Sequence, residues 1–590
     1  MSDDEAVEAA AFDRYLPRRD ITAVPPQGGY VAKRCPQRVE FDVFPPVDVV
    51  PEDPPPGVRL RMDEGNAFEA SVFAQLRTLH PEATVIDQTQ PAEVQQAATS
   101  AALAAGVPLV LGGWLPTDLV GRRVGRPDVL VRAERRSDGR WAYHPVDVKH
   151  HLTLKADPPK PGAPGGAGDA VPRALLATLA DPAHRAAVPD PERIARSQTA
   201  DLLQLAHYRR MLEQTPHASS HAVGAIIGKE LEVVWFRLDV PVVRRLWDGT
   251  DEAREAALQR YDFEFSFRLD VVAAAEAGES LVEPVLVSEC PSCPWRGHCI
   301  PRIVASDSTS LLPGFGYKQW HALRRVGITT RAALAQADPD DEVLRAALDA
   351  TGRPNLLADA IRGARVVTGD GLPQLRDGLD ALVVPSGEVE IDIDMENAID
   401  GTVYLWGALV DGTYHSAVGW EPPSRQVDAE VFVAFWDWLS ARRRAAAEAG
   451  RSVRIYCWSQ QAESGALARG SAAAAELLGR TEVRAEVDEL LASDQWIDLL
   501  EEFRTQLITG LGNGLKVVAG LAGFSWRDED PNGQDSMAWY AAAVGAGDPA
   551  VVAAARARLL AYNEDDVRAT AAVRDWMRGL PSAVTTTPSP

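Results

Sequence analysis

The sequence lacks long apolar runs, a phosphate-binding loop and the pattern of a secretory signal. None of its 590 residues lies in an uninterrupted apolar run of about 18 or more, so we expect no membrane span. The pattern G-x4-G-K-[S/T] is absent, so we expect no ATP hydrolysis at such a loop. The first residues, Met1 to Glu5, are acidic, and we expect a cytoplasmic protein.

Basic side chains are also in short supply. The chain has 60 Lys and Arg against 84 Asp and Glu, a net charge of −24. This balance is not that of a general nucleic-acid binder, so any DNA contact requires local arginine patches. Arg122, Arg123, Arg126 and Arg132 are candidates for one. The length and the 46% hydrophobic content predict a globular protein of several domains.

Only five cysteines are present, and four of them suggest a metal site. Cys290, Cys293 and Cys299 form a C-x2-C-x5-C group, and Cys35 lies far upstream. In a cytoplasmic protein this spacing indicates metal binding, not disulfides. A [4Fe–4S] cluster and a four-cysteine zinc site both fit. Cys457 lies alone in an apolar run, where we expect a buried small side chain.

Two β-rich runs, 126–131 and 146–150, flank a turn-forming segment and predict a β-hairpin. Asp147 and Lys149 are two apart on one strand and therefore share a face, opposite Asp128 on the other strand. Carboxylate oxygens suit Mg²⁺ or Mn²⁺, and a lysine can steady an attacking water. The pattern favours metal-assisted phosphodiester hydrolysis. A surface ion pair on an exposed hairpin is the alternative.

Helical patterns lie on both sides of the hairpin. Glu69 lies on a predicted helix upstream, and Gln204 and Tyr208 lie four apart on another. The order helix acid, D, DxK, QxxxY resembles the PD-(D/E)xK nucleases of the RecB type. The resemblance implies a restriction-endonuclease-like domain over residues 26–305. CRISPR-associated relatives usually carry histidine where Glu69 stands.

The same resemblance implies roles for individual residues. Lys149 would be catalytic, and Gln204 and Tyr208 would contact DNA near the site. The metal ligands would be Glu69, Asp128, Asp147 and the backbone carbonyl of Val148.

The cysteine layout extends this resemblance. RecB-type nucleases of the CRISPR-associated and AddB-like kinds have one cysteine before the nuclease core and three after it. Cys35, Cys290, Cys293 and Cys299 match that layout. The resemblance implies a structural [4Fe–4S] cluster that joins the ends of the domain, with zinc as the alternative.

Residues 306–380 are predicted to form a small helical module. The segment from Leu311 to Gly316, followed by His321 to Thr329, resembles a helix-hairpin-helix repeat. Such a repeat can offer backbone N–H groups to a phosphate without reading sequence. A plain helical connector is the alternative. Just upstream of the cysteine group, 242–260 is also predicted to be helical.

A second α/β domain is predicted over residues 384–580. The run 389–396 alternates strictly, which predicts a strand with Asp392, Asp394 and Glu396 on one face. Tyr562 and Asp566 lie four apart on a predicted helix near the end. This combination resembles the DEDD exonucleases of the ribonuclease-H-like fold.

The resemblance implies that Asp394, Glu396 and Asp566 hold two metal ions and that Tyr562 helps to place a water. Glu463 is the preferred middle acid of the set, although the family usually has aspartate there, and Asp498 is the other candidate. Asp392 and Asp565 adjoin two of these acids and are alternatives to them. Residues 581–590 are Ser, Thr and Pro-rich, and we expect a disordered tail.

The whole order of domains resembles bacterial RecB-like nucleases, some of which are fused to superfamily 1 helicases. It implies a metal-dependent nuclease that acts on DNA ends or single strands in repair or recombination. A helicase would have to be a separate partner. Two alternatives stay open: a DNA-end-binding adaptor with impaired sites, and a C-terminal domain that trims RNA.

Overall fold

A computed structural model describes residues 17–156, 173–196, 198–244, 254–369, 371–528 and 533–580 of the chain. The fold is mixed α/β, and the chain divides into two compact units. The first unit is built mainly from Met62–Arg302 and the second mainly from the residues after it. In the part of the chain that is described, no helix is both long enough and apolar enough to cross a bilayer.

A nine-stranded mixed sheet lies at the centre of the first unit, in the order β1-β2-β3-β4-β8-β9-β6-β7-β5. Its strands are β1 (Thr84–Val85), β2 (Leu109–Leu111), β3 (Val129–Arg135), β4 (Trp141–Val148), β5 (Leu154–Ala156), β6 (Arg173–Thr178), β7 (Val188–Ala195), β8 (Val223–Ile227) and β9 (Glu232–Arg237).

Six helices precede the end of this unit. They are α1 (Pro36–Val43), α2 (Pro56–Leu79), α3 (Ala92–Ala105), α4 (Thr199–Gln214), α5 (Ala257–Glu276) and α6 (Arg296–Ala305). Of the helix predicted over 242–260, residues 245–253 lie outside the described part of the chain. The prediction is wrong at 242–244 and 254–256, where the short antiparallel strands β10 (Pro241–Arg244) and β11 (Arg254–Ala256) lie, and right from Ala257, where α5 begins.

The predicted hairpin is present as β3 and β4. Val129 pairs with Val146 in antiparallel register, and the Arg136 N–H donates to the Arg140 carbonyl across the turn at 2.8 Å. On its other side β4 pairs in parallel with β8. Helix α4 packs against both of these strands, so its residues lie beside the end of β4.

The second unit begins with four short helices, as the sequence predicts for this segment. They are α7 (Tyr317–Arg325), α8 (Arg331–Ala335), α9 (Glu342–Asp349) and α10 (Leu356–Thr368). Leu323, Leu334, Leu348 and Ile361 are buried together in their small core. Two further short strands, β12 (Gln374–Leu375) and β18 (Leu507–Ile508), pair with each other.

A five-stranded sheet forms the centre of the second unit, in the order β15-β14-β13-β16-β17. Strand β14 pairs antiparallel with both β13 and β15. Strand β16 pairs in parallel with β13 on one side and with β17 on the other. The strands are β13 (Val389–Asn397), β14 (Val403–Val410), β15 (Thr413–Val418), β16 (Val453–Cys457) and β17 (Trp496–Asp498). The helices are α11 (Arg425–Glu448), α12 (Gln460–Leu478), α13 (Val483–Leu491), α14 (Leu499–Gln506), α15 (Leu515–Leu521), α16 (Gly533–Val544) and α17 (Pro549–Gly579).

The alternation along β13 decides which residues each layer of helices meets. Ile391 and Ile393 are fully buried in one core with Phe432 and Phe435 of α11. Successive side chains of a strand point to opposite faces, so the intervening acids point the other way. That second face is covered by α17, whose Asn563 and Arg574 bond to the acids of β13.

Candidate metal centres

Three carboxylates converge in the second unit. Asp394 and Glu396 come from β13, and Asp566 comes from the middle of α17. Oxygen atoms of the three side chains all lie within 4.8 Å of one another, and Glu396 and Asp566 are buried. Within the described ranges, no other group of three or more His, Cys, Asp or Glu side chains is so compact. Closely spaced carboxylate oxygens are what Mg²⁺ and Mn²⁺ require.

Uncharged donors orient two of these three carboxylates from neighbouring helices. The Asn563 side-chain amide donates to Asp394 Oδ2 at 2.8 Å. Asn563 lies on α17, one turn before Asp566 and on the same face of the helix. The Ser536 hydroxyl of α16 donates to Glu396 Oε2, also at 2.8 Å. Neutral donors fix the rotamers without cancelling the negative charge that a cation needs.

The third carboxylate follows the same rule. The indole Nε1–H of Trp526 donates to Asp566 Oδ1 at 2.7 Å. Trp526 follows α15 in the chain and packs with it in the core beside α17. Each acid of the compact set therefore has its own uncharged hydrogen-bond donor, and each donor lies on a different element or turn.

Burial and mutual repulsion raise the pKa of each of these acids. Burial raises the pKa of Glu396 to about 8, and the Asp566 carboxylate adds to this effect. Burial also raises the pKa of Asp566 to about 6, although the Trp526 donor opposes the shift. The pKa of Asp394 lies well above its usual range because the residue is buried beside other carboxyl groups. A divalent cation would therefore displace protons on binding.

The neighbouring acids named as alternatives are paired elsewhere. Both oxygens of Asp392 accept from Arg574 Nη1, at 2.7 and 2.6 Å, in a buried ion pair. Asp565 accepts from the side chain and the backbone N–H of Arg527, at 2.8 and 2.9 Å. The compact set contains Asp394 and Asp566 and neither of these two.

A fourth acid lies close to the set. Glu463 is at the start of α12 and only 4% exposed, and its Oε2 has no hydrogen-bond partner in the described part of the chain. Burial raises the pKa of Glu463 to about 8, and its charge in turn raises the pKa of Asp394. Asp498 has another task, since its Oδ1 accepts from the backbone N–H of Glu501 and caps α14. Glu463 therefore stays the predicted middle acid, with Asp498 as the alternative.

Tyr562 lies one turn before Asp566 and faces the same set. Its hydroxyl oxygen accepts from Lys516 Nζ at 3.1 Å. The sequence analysis did not identify Lys516, nor the donors Asn563, Ser536 and Trp526. One signal was available for the lysine, because it is the single charged residue between Arg504 and Arg527.

The first unit contains the other predicted acidic cluster. Asp128 immediately precedes β3, and its Oδ2 accepts from the backbone N–H of Val148 at 2.7 Å. Asp147, near the end of β4, forms an ion pair with Lys149. Asp147 is fully buried and Asp128 is half-buried. Burial raises the pKa of Asp128, and the charges of Asp147 and Glu69 raise it further. The hairpin register therefore brings the D and DxK residues together.

Glu69 of α2 belongs to the same electrostatic cluster. Burial raises its pKa, and the charge of Asp147 raises it further. Burial disfavours the charged form of Lys149, yet the carboxylates of Asp147 and Asp128 outweigh this and raise its pKa above the usual range. The acids of this cluster do not form a set as compact as the one in the second unit.

Gln204 and Tyr208 are both on α4, as the sequence predicts, but each is only 4% exposed. Gln204 Nε2 donates to the Tyr208 hydroxyl at 2.8 Å, and that hydroxyl donates to the Arg126 carbonyl at 3.0 Å. Lys33, which was not predicted, donates to Gln204 Oε1 at 2.9 Å. The pair braces the segment that precedes Asp128. DNA contact by these two residues stays a prediction.

The four predicted cysteines line one small cavity. The backbone N–H of Cys35 donates to the Glu289 carboxylate at 2.8 Å, and the N–H of Val287 donates to Cys290 Sγ at 3.4 Å. Burial raises the pKa of Cys299 to about 12, and the three other cysteines add to the shift. Cys457 is fully buried in the second unit, among the apolar residues of its core.

The spacing of the cysteine sulfurs bears on which metal the cavity could hold. A zinc ion with Zn–S bonds of about 2.3 Å draws its tetrahedral sulfurs to within about 3.8 Å of one another. Among these four described side chains, no three sulfurs all lie within 4.8 Å of one another. The four sulfurs therefore lie farther apart than in a zinc tetrahedron.

Comparison with known proteins bears on the second unit alone. A family model described as the RNase_H superfamily matches residues 475–578. That stretch contains Lys516, Tyr562 and Asp566. No curated protein and no solved structure matches the chain. The C-terminal part of the chain is therefore an RNase H-like domain, which indicates a nuclease-type function.

Proposed function

We propose that this chain is a metal-dependent nuclease that hydrolyses phosphodiester bonds of DNA at ends or within single strands. The observation that carries the proposal is the convergence of Asp394, Glu396 and Asp566 oxygens within 4.8 Å. Buried carboxylates at this spacing repel one another unless protons or cations neutralise them. The RNase H-like match over 475–578 supports nuclease-type chemistry at this site.

In the C-terminal site, Asp394, Glu396, Asp566 and Glu463 would hold Mg²⁺ or Mn²⁺. Bound ions of this kind polarise the phosphoryl group and lower the pKa of a bound water. Hydrolysis adds the water oxygen to phosphorus and breaks the bond to the leaving oxygen, which receives a proton. Tyr562 contributes a hydroxyl group beside the acids, where it can hold the attacking water in line.

The first unit is proposed to be a second hydrolytic centre, of the PD-(D/E)xK kind. Glu69, Asp128, Asp147 and the Val148 carbonyl would bind the cation. Lys149, which pairs with Asp147 in the absence of metal, would then stabilise the attacking water and the developing negative charge. Support comes from the β3–β4 hairpin, which holds the two aspartates and the lysine in one buried cluster.

The four cysteines are proposed to hold a structural [4Fe–4S] cluster, with zinc as the alternative. Support comes from their common cavity and from a sulfur spacing wider than a zinc tetrahedron. The backbone N–H of Val287, which donates to Cys290 Sγ, suits an anionic thiolate, because such a donor stabilises the charge on sulfur. Bound iron would link Cys35 to the three later cysteines and so join both ends of the first unit.

The biological setting of the proposal is DNA repair or recombination. The sequence lacks a phosphate-binding loop, so unwinding would come from a separate superfamily 1 helicase. RNA is the second candidate substrate for the C-terminal site, because the matching family model is that of the RNase_H superfamily.

The test is degradation of end-labelled single-stranded DNA, and of RNA of the same sequence, by protein purified without oxygen. Wild type, Lys149→Ala, Asp394→Ala and the double variant are compared with Mg²⁺ or Mn²⁺. Asp565→Asn is the matched control, since this acid adjoins Asp566 but pairs with Arg527. We expect metal-dependent cleavage that only the double variant loses entirely.

Other outcomes reassign the function. Loss in Lys149→Ala alone would leave the first unit as the enzyme, and loss in Asp394→Ala alone would leave the second. If the protein degrades RNA but not DNA, and Asp394→Ala stops RNA degradation, RNA replaces DNA as the proposed substrate of the C-terminal site. A wild-type protein that binds DNA ends without cleaving them would be an adaptor, and the catalytic assignments would fall.

A further inference from the structure

A lysine that belongs to neither acidic motif reaches the C-terminal site. We propose that Lys516 is a positioning residue that acts through Tyr562: its ammonium group occupies one lone pair of the tyrosine oxygen and thereby directs the phenolic proton toward the reacting atoms. This inference rests on the proposed nuclease function and adds a residue to it. Neither the sequence motifs nor the RNase H-like match assigns this role to the lysine.

The fold fixes Lys516 at this place through the apolar side of α15. Val518 and Ala519 are fully buried and pack in one core with Ala569 and Val573 of α17. These contacts set the position of α15 against the helix that carries Tyr562. Lys516 stands at the start of α15 and is half-buried.

The contact itself has the geometry of a directed hydrogen bond. Nζ of Lys516 lies 3.1 Å from the Tyr562 hydroxyl oxygen and 5.0 Å from the centre of its ring. The ammonium group can only donate, so the tyrosine oxygen accepts in this bond. The phenolic proton must therefore go to a different acceptor, and a charged donor makes that proton a stronger donor in turn.

Asp566 lies one turn after Tyr562 on α17, and burial together with the charge of Asp566 raises the pKa of the phenol. Because the Lys516 bond occupies one lone pair of the hydroxyl oxygen, the phenolic proton can point toward the acidic set, where the attacking water would lie. Lys516, Tyr562 and the water would then form one chain of donors.

The surroundings argue against a purely structural ion pair. Asp394, Glu396 and Asp566 are each already oriented by an uncharged donor. Burial raises the pKa of Glu396 and Asp566 and the Lys516 charge opposes this shift, yet each carboxylate has its uncharged donor without the lysine. Its position on the hydroxyl of Tyr562 is better explained by an effect on the tyrosine.

The experiment is a double-mutant cycle in the full chain. Lys516→Met, Tyr562→Phe and the combined variant are made in a Lys149→Ala background, which silences the first unit. Cleavage of a single-stranded oligonucleotide gives kcat and KM for each. We expect each single change to lower kcat by about 10- to 100-fold with KM nearly unchanged, since the lost bond involves a charged donor. The combined variant should lose no more than Tyr562→Phe alone, because both remove one chain of contacts.

Two controls separate positioning from structure. Lys516→Arg should recover most of kcat, since it keeps a charged donor near the tyrosine. Arg568→Met is the matched control: this arginine is on α17 but pairs with Glu564, and its loss should leave kcat unchanged. Mn²⁺ binding, measured by calorimetry, should be the same in Lys516→Met as in the background protein.

Several results would overturn the proposal. Losses that multiply in the combined variant would mean that Lys516 acts independently of Tyr562. A raised KM with unchanged kcat would make it a substrate-binding residue, and weakened Mn²⁺ binding would make it part of the metal site. If the Lys149→Ala background is inactive, the proposed C-terminal function fails and the role of Lys516 falls with it. Activity in that background with no effect of Lys516→Met would sink the inference alone.

Discussion

The two acidic clusters of this chain balance their buried charge in different ways. In the first unit, Asp147 pairs directly with Lys149, and Asp128 accepts a backbone N–H. In the second unit, the acids have uncharged donors, and burial raises the pKa of Glu396 to about 8. The first cluster contains a lysine bonded directly to an acid, whereas the lysine of the second cluster bonds to Tyr562.

This difference predicts how each cluster meets a divalent ion. In the first unit, an incoming ion competes with Lys149 for Asp147, so the lysine must move before it can serve the reaction. In the second unit, the ion competes with protons, so its affinity rises with pH. A buried charge must be paired in some way, and the choice of partner sets what controls the site.

The largest effect is expected from substituting one of the four cysteines that line the cavity, all of which belong to the first unit. Cys35 and Cys290 are about 250 residues apart, and cross-linking such a loop stabilises the folded state by about 5 kcal/mol. Cys290→Ser should therefore unfold the first unit, whereas cleavage by the C-terminal site of the second unit should persist. Calorimetry and metal analysis test this, with about four iron atoms per chain expected in wild type.

Cys457→Ala is the matched control for this experiment, because the residue is buried in the second unit and away from the cavity. It should keep the full metal content. If metal analysis finds one zinc per chain in wild type, the cysteines form a zinc site and not an iron–sulfur cluster. A folded wild-type protein without metal would contradict both assignments.

The next effect concerns the acids that lie beside the compact set. Asp392→Ala removes the buried partner of Arg574 and should lower the free energy of unfolding by about 3–5 kcal/mol. Asp565→Ala should cost less than about 1 kcal/mol, because its partner Arg527 is half exposed. Denaturant unfolding measures both. Equal costs would mean that the two pairs do not differ in burial as described.

A third test sharpens the contrast between protons and a lysine. The pKa of Glu396 is raised from 4.5 to about 8, so the folded state binds a proton more tightly than the unfolded chain. That contribution to stability is complete below pH 4.5 and is lost as pH rises toward 8.

Metal-free protein should therefore lose about 3 kcal/mol of stability between pH 5 and 8, and Mn²⁺ should restore it. Unfolding is measured across this range with and without the ion. Glu396→Gln is the control, since an amide cannot titrate and its profile should be flatter. If the free energy of unfolding of metal-free wild type rises toward pH 8, the raised pKa of Glu396 is contradicted.

The smallest effect separates the two candidates for the middle acid. Glu463→Gln should lower kcat of the C-terminal site by about 100-fold, because it removes a buried carboxylate next to Asp394. Asp498→Asn should leave kcat within a few-fold and lower stability by about 1 kcal/mol at most, because it changes a helix cap. The reverse pattern in cleavage assays would make Asp498 the middle acid.

Much of each candidate site could be predicted because its signals are local. Strict alternation along 389–396 is sufficient to put the apolar and acidic residues of β13 on opposite faces. The turn between two β-rich runs likewise predicts the β3–β4 hairpin, and with it the approach of Asp128 to Asp147. Both depend on neighbours in sequence.

The remaining features depend on distant residues. Nothing near Asp392 indicates that Arg574 pairs with it, so the choice between Asp392 and Asp394 could not be made in advance. The same holds for Trp526 and Lys516, whose roles arise only when α17 packs beside them. The helix predicted over 242–260 is wrong at 242–244 and 254–256, because the pairing of β10 with β11 overrides the local helical preference of those residues.

Lys33 and Cys35 lie two residues apart, at the end of the short helical turn Val31–Lys33 and just beyond it. One bonds to Gln204 beside the acidic cluster of the first unit, and the other lines the cysteine cavity. The cysteine cavity and the acidic cluster are therefore joined by two residues of backbone, so a displacement of Cys35 would also displace the lysine that holds Gln204.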